Sequence, residues 1–320
     1  MMYRWPASAL AAAGATAFLW AQSEVIRVDV NMVQVVATVR NPAGQLVGSL
    51  NKDDFEILDN GVSQQVAVLH RQTDQPLSVS LLIDTSGSTA KDLRYEVESA
   101  SKFLNALLAE GHPEDAVSLF SFNYRVTEEK QFTRNYRSLE IALKSLQGEA
   151  GTAVYDAIHF GAQALETRNG RKAIVVVTDG GDTFSKYSLK QALETAQFAN
   201  AVIYPIVILP ITNDAGRNVG GENAMTIAAQ NTGGRTFLPQ LGVQLDRAFA
   251  EILSELRTQY LIGFYPKGAP LTKDRFHRLE VRTKSRELRV SARSGYYGEA
   301  EGGVAPPART TVSPERRKNP

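Results

Sequence analysis

Leu77-Ser78-Val79-Ser80-Leu81-Leu82-Ile83-Asp84-Thr85-Ser86-Gly87-Ser88 is the stretch that decides the fold. An uncharged, mostly apolar run that ends on an acid, hydroxyls and a glycine reads as a strand stopping at a loop. Residues 91–108 follow as a helix, because Leu93, Val97, Ala100, Leu104 and Leu107 recur at helical spacing. The same alternation then continues. Residues 116–122 read as a strand, 124–132 as a short polar strand, and 137–147 and 153–166 as helices. Ile174-Val175-Val176-Val177 is a continuous apolar run suited to a strand covered on both faces. Ser188 to Gln191 has capping-box form and opens a helix that runs to Asn200. A strand at 201–209, a short helix at 223–230, a short strand at 235–238 and a helix at 244–257 complete the series. Strands alternating with helices predict an α/β domain over residues 77–258. It is a doubly wound, mainly parallel sheet with helices on both faces and one short antiparallel edge strand. Pro205 falls in a strand placed near the sheet centre, where its missing N–H removes a ladder bond, so a bulge or a later strand start is expected there.

Outside this domain the pattern is β on both sides. Val28, Val30 and Met32 alternate with polar residues, and residues 33–39 continue as a more apolar stretch. Asn41-Pro42-Ala43-Gly44 reads as a turn, and Asp59-Asn60-Gly61 as a hairpin turn between 55–58 and 62–69. Residues 259–265, 276–283 and 288–292 are strands again. The N-terminal β segment (22–76) is too short to build much core alone. It is therefore expected to pair with the C-terminal strands (259–298) in a small antiparallel β module made from both chain ends. Residues 299–320 have almost no large apolar side chains and are expected to be disordered.

Hydrophobic content of 43% and charged content of 22% are those of an ordinary globular chain, and the formal net charge is +1. No basic field exists to attract nucleic acid. The absence of cysteine excludes disulfides, thiolate metal sites and a cysteine nucleophile. Arg4 followed by the uncharged, alanine-rich run at 7–21 reads as a signal peptide cut after Ala21, the alternative being an uncleaved membrane anchor. Export to the periplasm or the extracellular space is the expectation.

Three strand ends or helix starts carry the chemistry. Asp84, Ser86 and Ser88 follow the first α/β strand. Thr152 precedes a helix, and Asp179 ends the buried strand before Gly180-Gly181. In a doubly wound sheet, ligands collect at the carboxyl ends of the strands. Two acids with several hydroxyls form a hard-oxygen donor set of the type Mg²⁺ takes.

In order and in context, Asp84-Thr85-Ser86-Gly87-Ser88, Thr152 and Asp179-Gly180 resemble the metal-ion-dependent adhesion site of von Willebrand factor type A domains. The flanking Asp54-Phe55, Asp59-Asn60-Gly61 and Gly295-Tyr296-Tyr297 resemble the bacterial "VWFA-related" branch. The resemblance implies a Rossmann-like α/β domain in which Asp84 and Asp179 anchor one divalent ion (Mg²⁺, with Mn²⁺ or Ca²⁺ as substitutes). Ser86 and Ser88 ligate it, and Thr152 joins when ligand binds. A vacant coordination position then takes an Asp or Glu carboxylate from a partner protein. The implied function is adhesion-like protein binding, and no enzyme activity is implied.

Simpler readings exist for each residue alone. Ser86, Ser88 and Thr152 are well placed as helix caps, and Asp84, Asp179 and Asp182 as solvated turn residues. His70, His112 and His277 take loop or surface positions by default, while His159 packs on its helix. A structural or assembly role in an envelope complex, with the site not used for capture, is the alternative function. Hydrolase readings fare worse. A haloacid-dehalogenase-type site needs an acid where Ser86 stands, and Ser86 lacks the Gly-x-Ser-x-Gly setting of a nucleophile elbow.

Overall fold

A computed structural model describes residues 32–71, 75–87, 93–179, 181–209, 218–270, 275–298 and 314–316. The expected signal segment and the strand signals at 25–31 lie outside these residues. The chain enters through β1 (Val33–Arg40), β2 (Phe55–Asp59), β3 (Val62–Gln64) and β4 (Val66–Arg71). Asn60 and Gly61, at φ 47° and 82°, make the tight turn between β2 and β3, a left-handed pair that this hairpin class requires.

The middle of the chain runs β5 (Leu77–Asp84), α1 (Leu93–Glu110), β6 (Ala116–Phe122), β7 (Val126–Thr133), α2 (Tyr136–Lys144), α3 (Val154–Leu165) and β8 (Arg171–Thr178). It continues through α4 (Leu189–Phe198), β9 (Ala201–Val207), α5 (Val219–Thr232) and α6 (Val243–Leu256). The chain closes with β10 (Tyr260–Phe264), β11 (Phe276–Thr283), β12 (Arg289–Ala292), β13 (Gly295–Tyr297) and β14 (Glu315–Arg316).

One sheet has the order β14-β7-β6-β5-β8-β9, with β6, β5, β8 and β9 parallel and β7 antiparallel to β6. β5 is central and buried along its whole length. Its side chains alternate between two cores. Val79, Leu81 and Ile83 pack with Phe103 and Leu107 of α1, Leu139 of α2 and Phe249 of α6. Leu82 packs on the other face with Ile158 of α3, Ala196 of α4 and Met225 of α5. Each such fully buried aliphatic or aromatic side chain contributes about 1.5–3 kcal/mol. The doubly wound α/β architecture follows from this two-faced burial.

Pro205 is accommodated differently from expectation. β9 runs through it without a bulge, in register with β8 at Val176, but β9 pairs with only one long strand of this sheet. The Pro205 carbonyl accepts a bond from Phe237 N on the outer side (2.8 Å). In an extended chain a residue's N and O face the same side, so the missing N–H costs no bond to β8. The short strand expected at 235–238 reduces to a single bridge between Phe237 and Ile206. Within the tail expected to be disordered, Glu315–Arg316 pairs with Thr127 and Glu128, on the free edge that β7 presents.

The two chain ends fold together. β12-β1-β10-β4 forms one antiparallel sheet and β13-β11-β2-β3 another. They share a core of Val35, Val39, Ile57, Ile262, Phe264 and Val281. On the opposite face of the first sheet, Val36 and Leu261 join the α/β core beside Tyr204 and Leu253. Buried Glu255 of α6 pairs with both Arg40 of β1 and Arg235, and Gln259 Nε2 donates to the Tyr204 hydroxyl (2.6 Å). The whole α/β unit is inserted between β4 and β10, which are direct neighbours with Arg71 opposite Tyr260.

His277 is not a surface residue. It alternates inward with Leu279 and Val281 along β11, and its Nδ1 lies 2.8 Å from Asp59 Oδ1. Tyr296 stacks on it and donates to Asp59 Oδ2 (2.7 Å), closing a buried polar triangle. Among the described residues, no helix is long and apolar enough to cross a membrane.

Candidate functional site

Parallel pairing of β5 with β8 holds Ile83 opposite Val177 and so brings the next residues, Asp84 and Thr178, side by side. Thr178 Oγ1 donates to Asp84 Oδ2 at 2.6 Å, and Ser86 N donates to Asp84 Oδ1 at 2.8 Å. The second bond is an Asx turn, which folds the chain sharply at the strand end and draws Ser86 in beside the acid. Asp84 is fully buried and Ser86 nearly so. Burial pushes the Asp84 carboxyl up to about 6, against the pull of the Thr178 and Ser86 bonds; the negative charge of Asp179 adds to the rise.

Thr85 serves the scaffold. Its N and Oγ1 both donate to Phe122 O at the end of β6 (2.8 and 3.2 Å), and its carbonyl accepts from Glu149 N (2.9 Å). A Cβ placed on Gly87 would lie 4.0 Å from Ala150 Cα. The loop after β5 is thereby joined to the loop that carries Thr152.

Asp179 is half-buried at the end of β8, and its Oδ1 accepts from Gly181 N (3.2 Å). Gly181 permits this close turn, since a Cβ there would stand 2.6 Å from Asn218 Nδ2. Thr152 is buried and fixed by its backbone: its N donates to Thr183 Oγ1 (3.0 Å) and its carbonyl accepts from Thr183 N and Phe184 N (2.8 and 3.0 Å). The N-cap of α3 is Ala153, without a side-chain cap, so Thr152 is not the cap that its position suggested.

The fold therefore brings Asp84, Ser86 and Asp179 to two adjacent strand ends, and places Thr152 on a third loop tied to both. Ser88 and Gly180 lie outside the described residues. Among the described residues, no three His, Asp or Glu side chains are grouped so as to hold a metal ion. An ion at this place would be held by two carboxylates, with hydroxyl oxygens for the remainder.

Other acids nearby are committed to structure. Asp156 Oδ1 accepts from Lys186 N and Tyr187 N (2.8 and 2.9 Å). Asp182 Oδ1 accepts from Ser185 Oγ (2.5 Å) and Tyr155 N (3.4 Å), more than the solvated-loop reading allowed. His159 is buried, stacked on Tyr187 and bonded to Thr195 Oγ1 (2.9 Å). Two features escaped sequence reading: Thr178 as the second support of Asp84, and the aromatic pair Tyr124 and Phe184 beside Gly151. The register of two parallel strands locates Thr178, but only once their adjacency is known.

Residues 79–181, which contain both aspartates and Thr152, match the family described as von Willebrand factor type A domain. Among solved structures, the chain is similar to the conserved hypothetical protein BatB from Bacteroides thetaiotaomicron. The identity is 19%, the match covers 56% of this chain and 98% of that one, and the TM-score is 0.46. It is also similar to the vWF domain of the type V pili tip protein Mfa5 from Porphyromonas gingivalis (14% identity, 56% and 94% coverage, TM-score 0.48). A further likeness is to the pilus adhesin SpaC from Lactobacillus rhamnosus GG (10% identity, 81% and 51% coverage, TM-score 0.48). No curated protein matches the chain.

Proposed function

We propose that the chain, whose residues 79–181 match the von Willebrand factor type A domain family, is a metal-dependent protein-binding module of the adhesion or assembly kind. It captures an exposed Asp or Glu of a partner protein and acts outside the cytoplasm, in the periplasm or the extracellular space.

One observation carries this reading. Asp84 is a fully buried carboxylate, pushed up to about 6 by desolvation, with Asp179 close enough to raise it further. A carboxylate buried in this way ionises at neutral pH at a cost that a nearby cation offsets. The donors fit a hard divalent ion: oxygen only, two carboxylates, and neutral hydroxyls around them. Asp84, Asp179, Ser86, Ser88 and Thr152 are the residues that would hold Mg²⁺, with Mn²⁺ or Ca²⁺ as substitutes. A bound Mg²⁺ supplies an electron-poor contact that an incoming carboxylate oxygen satisfies.

The chain's own residues do the rest. Thr178 and the Ser86 amide fix the Asp84 carboxylate in one orientation. Neutral hydroxyl ligands would add no negative charge beyond the two carboxylates, so that an incoming acid would meet less repulsion than a third protein carboxylate would create. Ser86 has no matching general base in His159, whose ring is taken up by Thr195 and Tyr187. These features support a binding role for the site.

Titrating the purified protein with Mg²⁺ by calorimetry, before and after EDTA treatment, tests the reading. Saturable binding that Asp84→Ala abolishes is expected. A folded wild-type protein without affinity for Mg²⁺, Mn²⁺ or Ca²⁺ overturns it.

A further inference from the structure

Beside the candidate site stand two large aromatic side chains that the fold leaves in solvent. Tyr124, just beyond β6, is 44% exposed, and Phe184, on the loop after β8, is 57% exposed. Their rings meet edge to face with centroids 6.5 Å apart. Both lie against Gly151, the residue before Thr152. A Cβ there would stand 2.7 Å from Phe184 Cδ2 and 3.0 Å from Tyr124 Cβ. Gly151 holds φ +86°, and the Phe184 ring and the Tyr124 Cβ rest on its bare backbone, immediately next to a candidate ligand. Phe184 is tied to the same loop through its N–H to the Thr152 carbonyl. The Arg125 guanidinium sits 5.2 Å from the Tyr124 ring centroid, and Glu149 is 3.9 Å from it.

From this placement we infer that Tyr124, Phe184 and Arg125 form the specificity surface of the site. The occupant is an acidic segment of a partner protein, in which the captured Asp or Glu has a large apolar side chain next to it. The inference rests on the acid-capture reading and deepens it. Two half-exposed aromatics that meet edge to face beside Gly151 offer one apolar contact to a partner. Exposed apolar patches rimmed by polar groups mark interaction sites, and buried aromatic and Arg anchors dominate the energetics of interfaces. Charge complementarity selects the occupant. Arg125, next to Tyr124 and 3.9 Å from Glu149, places a cation at the aromatic pair, and the residue beside a carboxylate captured next to Thr152 would meet the two rings.

The test uses two capped synthetic peptides, one with Asp between Leu and Phe and one with Asp between two serines. Calorimetry on the full chain at saturating Mg²⁺ compares wild type, Phe184→Ala and Tyr124→Ala, with a separate Mg²⁺ titration of each. The apolar-flanked peptide should bind wild type about five- to tenfold tighter than the serine peptide. Either substitution should narrow that ratio toward one with Mg²⁺ affinity unchanged. If wild type binds both peptides equally and only in Mg²⁺, the aromatic inference falls and acid capture stands. If the preference survives both substitutions, the inference also falls. If neither peptide binds in Mg²⁺, both readings fall together.

Discussion

Thr178 Oγ1 and Asp84 Oδ2 lie 2.6 Å apart across two adjacent parallel strands, so the acid of one strand is held by the hydroxyl of its neighbour. Thr178→Val keeps the shape and removes the donor. The Asp84 carboxyl then rises further, and Mg²⁺ affinity at pH 7 should drop about tenfold. Calorimetry on the variant checks this; an unchanged affinity would remove Thr178 from the site.

Asp84 also predicts a link between pH, metal and stability. Its folded pKa of about 6 exceeds the ordinary 3.8, so between these values the native state keeps a proton that the unfolded chain has released. Stability of the metal-free protein therefore falls as pH rises through that window, by about 3 kcal/mol in total. Asp84→Asn removes the ionisation. In EDTA at pH 7 it should be more stable than wild type by about 1–3 kcal/mol in urea denaturation, and the gain should vanish below pH ~4. Added Mg²⁺ should raise the melting temperature of wild type and leave that of the variant unmoved.

Thr152→Ala separates structure from capture. The contacts that hold residue 152 are made by its backbone, and it caps no helix. The substitution should change stability by less than about 1 kcal/mol. Binding of an acidic peptide in Mg²⁺ should be lost. Undiminished binding would rule out a ligand role for this hydroxyl.

The polar triangle in the β module is structural. Tyr296→Phe leaves Asp59 Oδ2 buried without its hydroxyl donor. The expected loss is about 1–3 kcal/mol by urea denaturation. The Mg²⁺ isotherm should be the same as that of wild type.

Periodicity made most of this molecule legible. The continuous apolar run in β8, the helical stripe of α1 and the capping box that Ser188 and Gln191 form at the start of α4 are local signals, and each element forms where its signal lies. What went unread is non-local. Nothing near Pro205 tells which strands flank β9, so a strand read as central proves to have one long partner, where proline is tolerated. His277 was readable, since it stands in phase with Leu279 and Val281, but its partner Asp59 comes from the other end of the chain. The site divides in the same way. Acids at strand ends are visible as motifs, whereas the flanking aromatics become a surface only when two loops meet over Gly151.

Arg71 and Tyr260 sit opposite one another on β4 and β10, at the two points where the inserted α/β unit leaves and rejoins the β module. A tether pulling on β1 and β13 would therefore load the hydrogen-bond ladders of the sandwich, with β4–β10 clamping the base of the insertion. The end of the chain that carries β12 and β13 also bonds directly to the α/β unit, through the Thr232–Arg293 bridge and the Tyr297 hydroxyl on Glu194, so part of such a load would pass to α5 and α4. Load entering at the β module would thus be divided between its own ladders and two helices on one face of the sheet that bears Asp84.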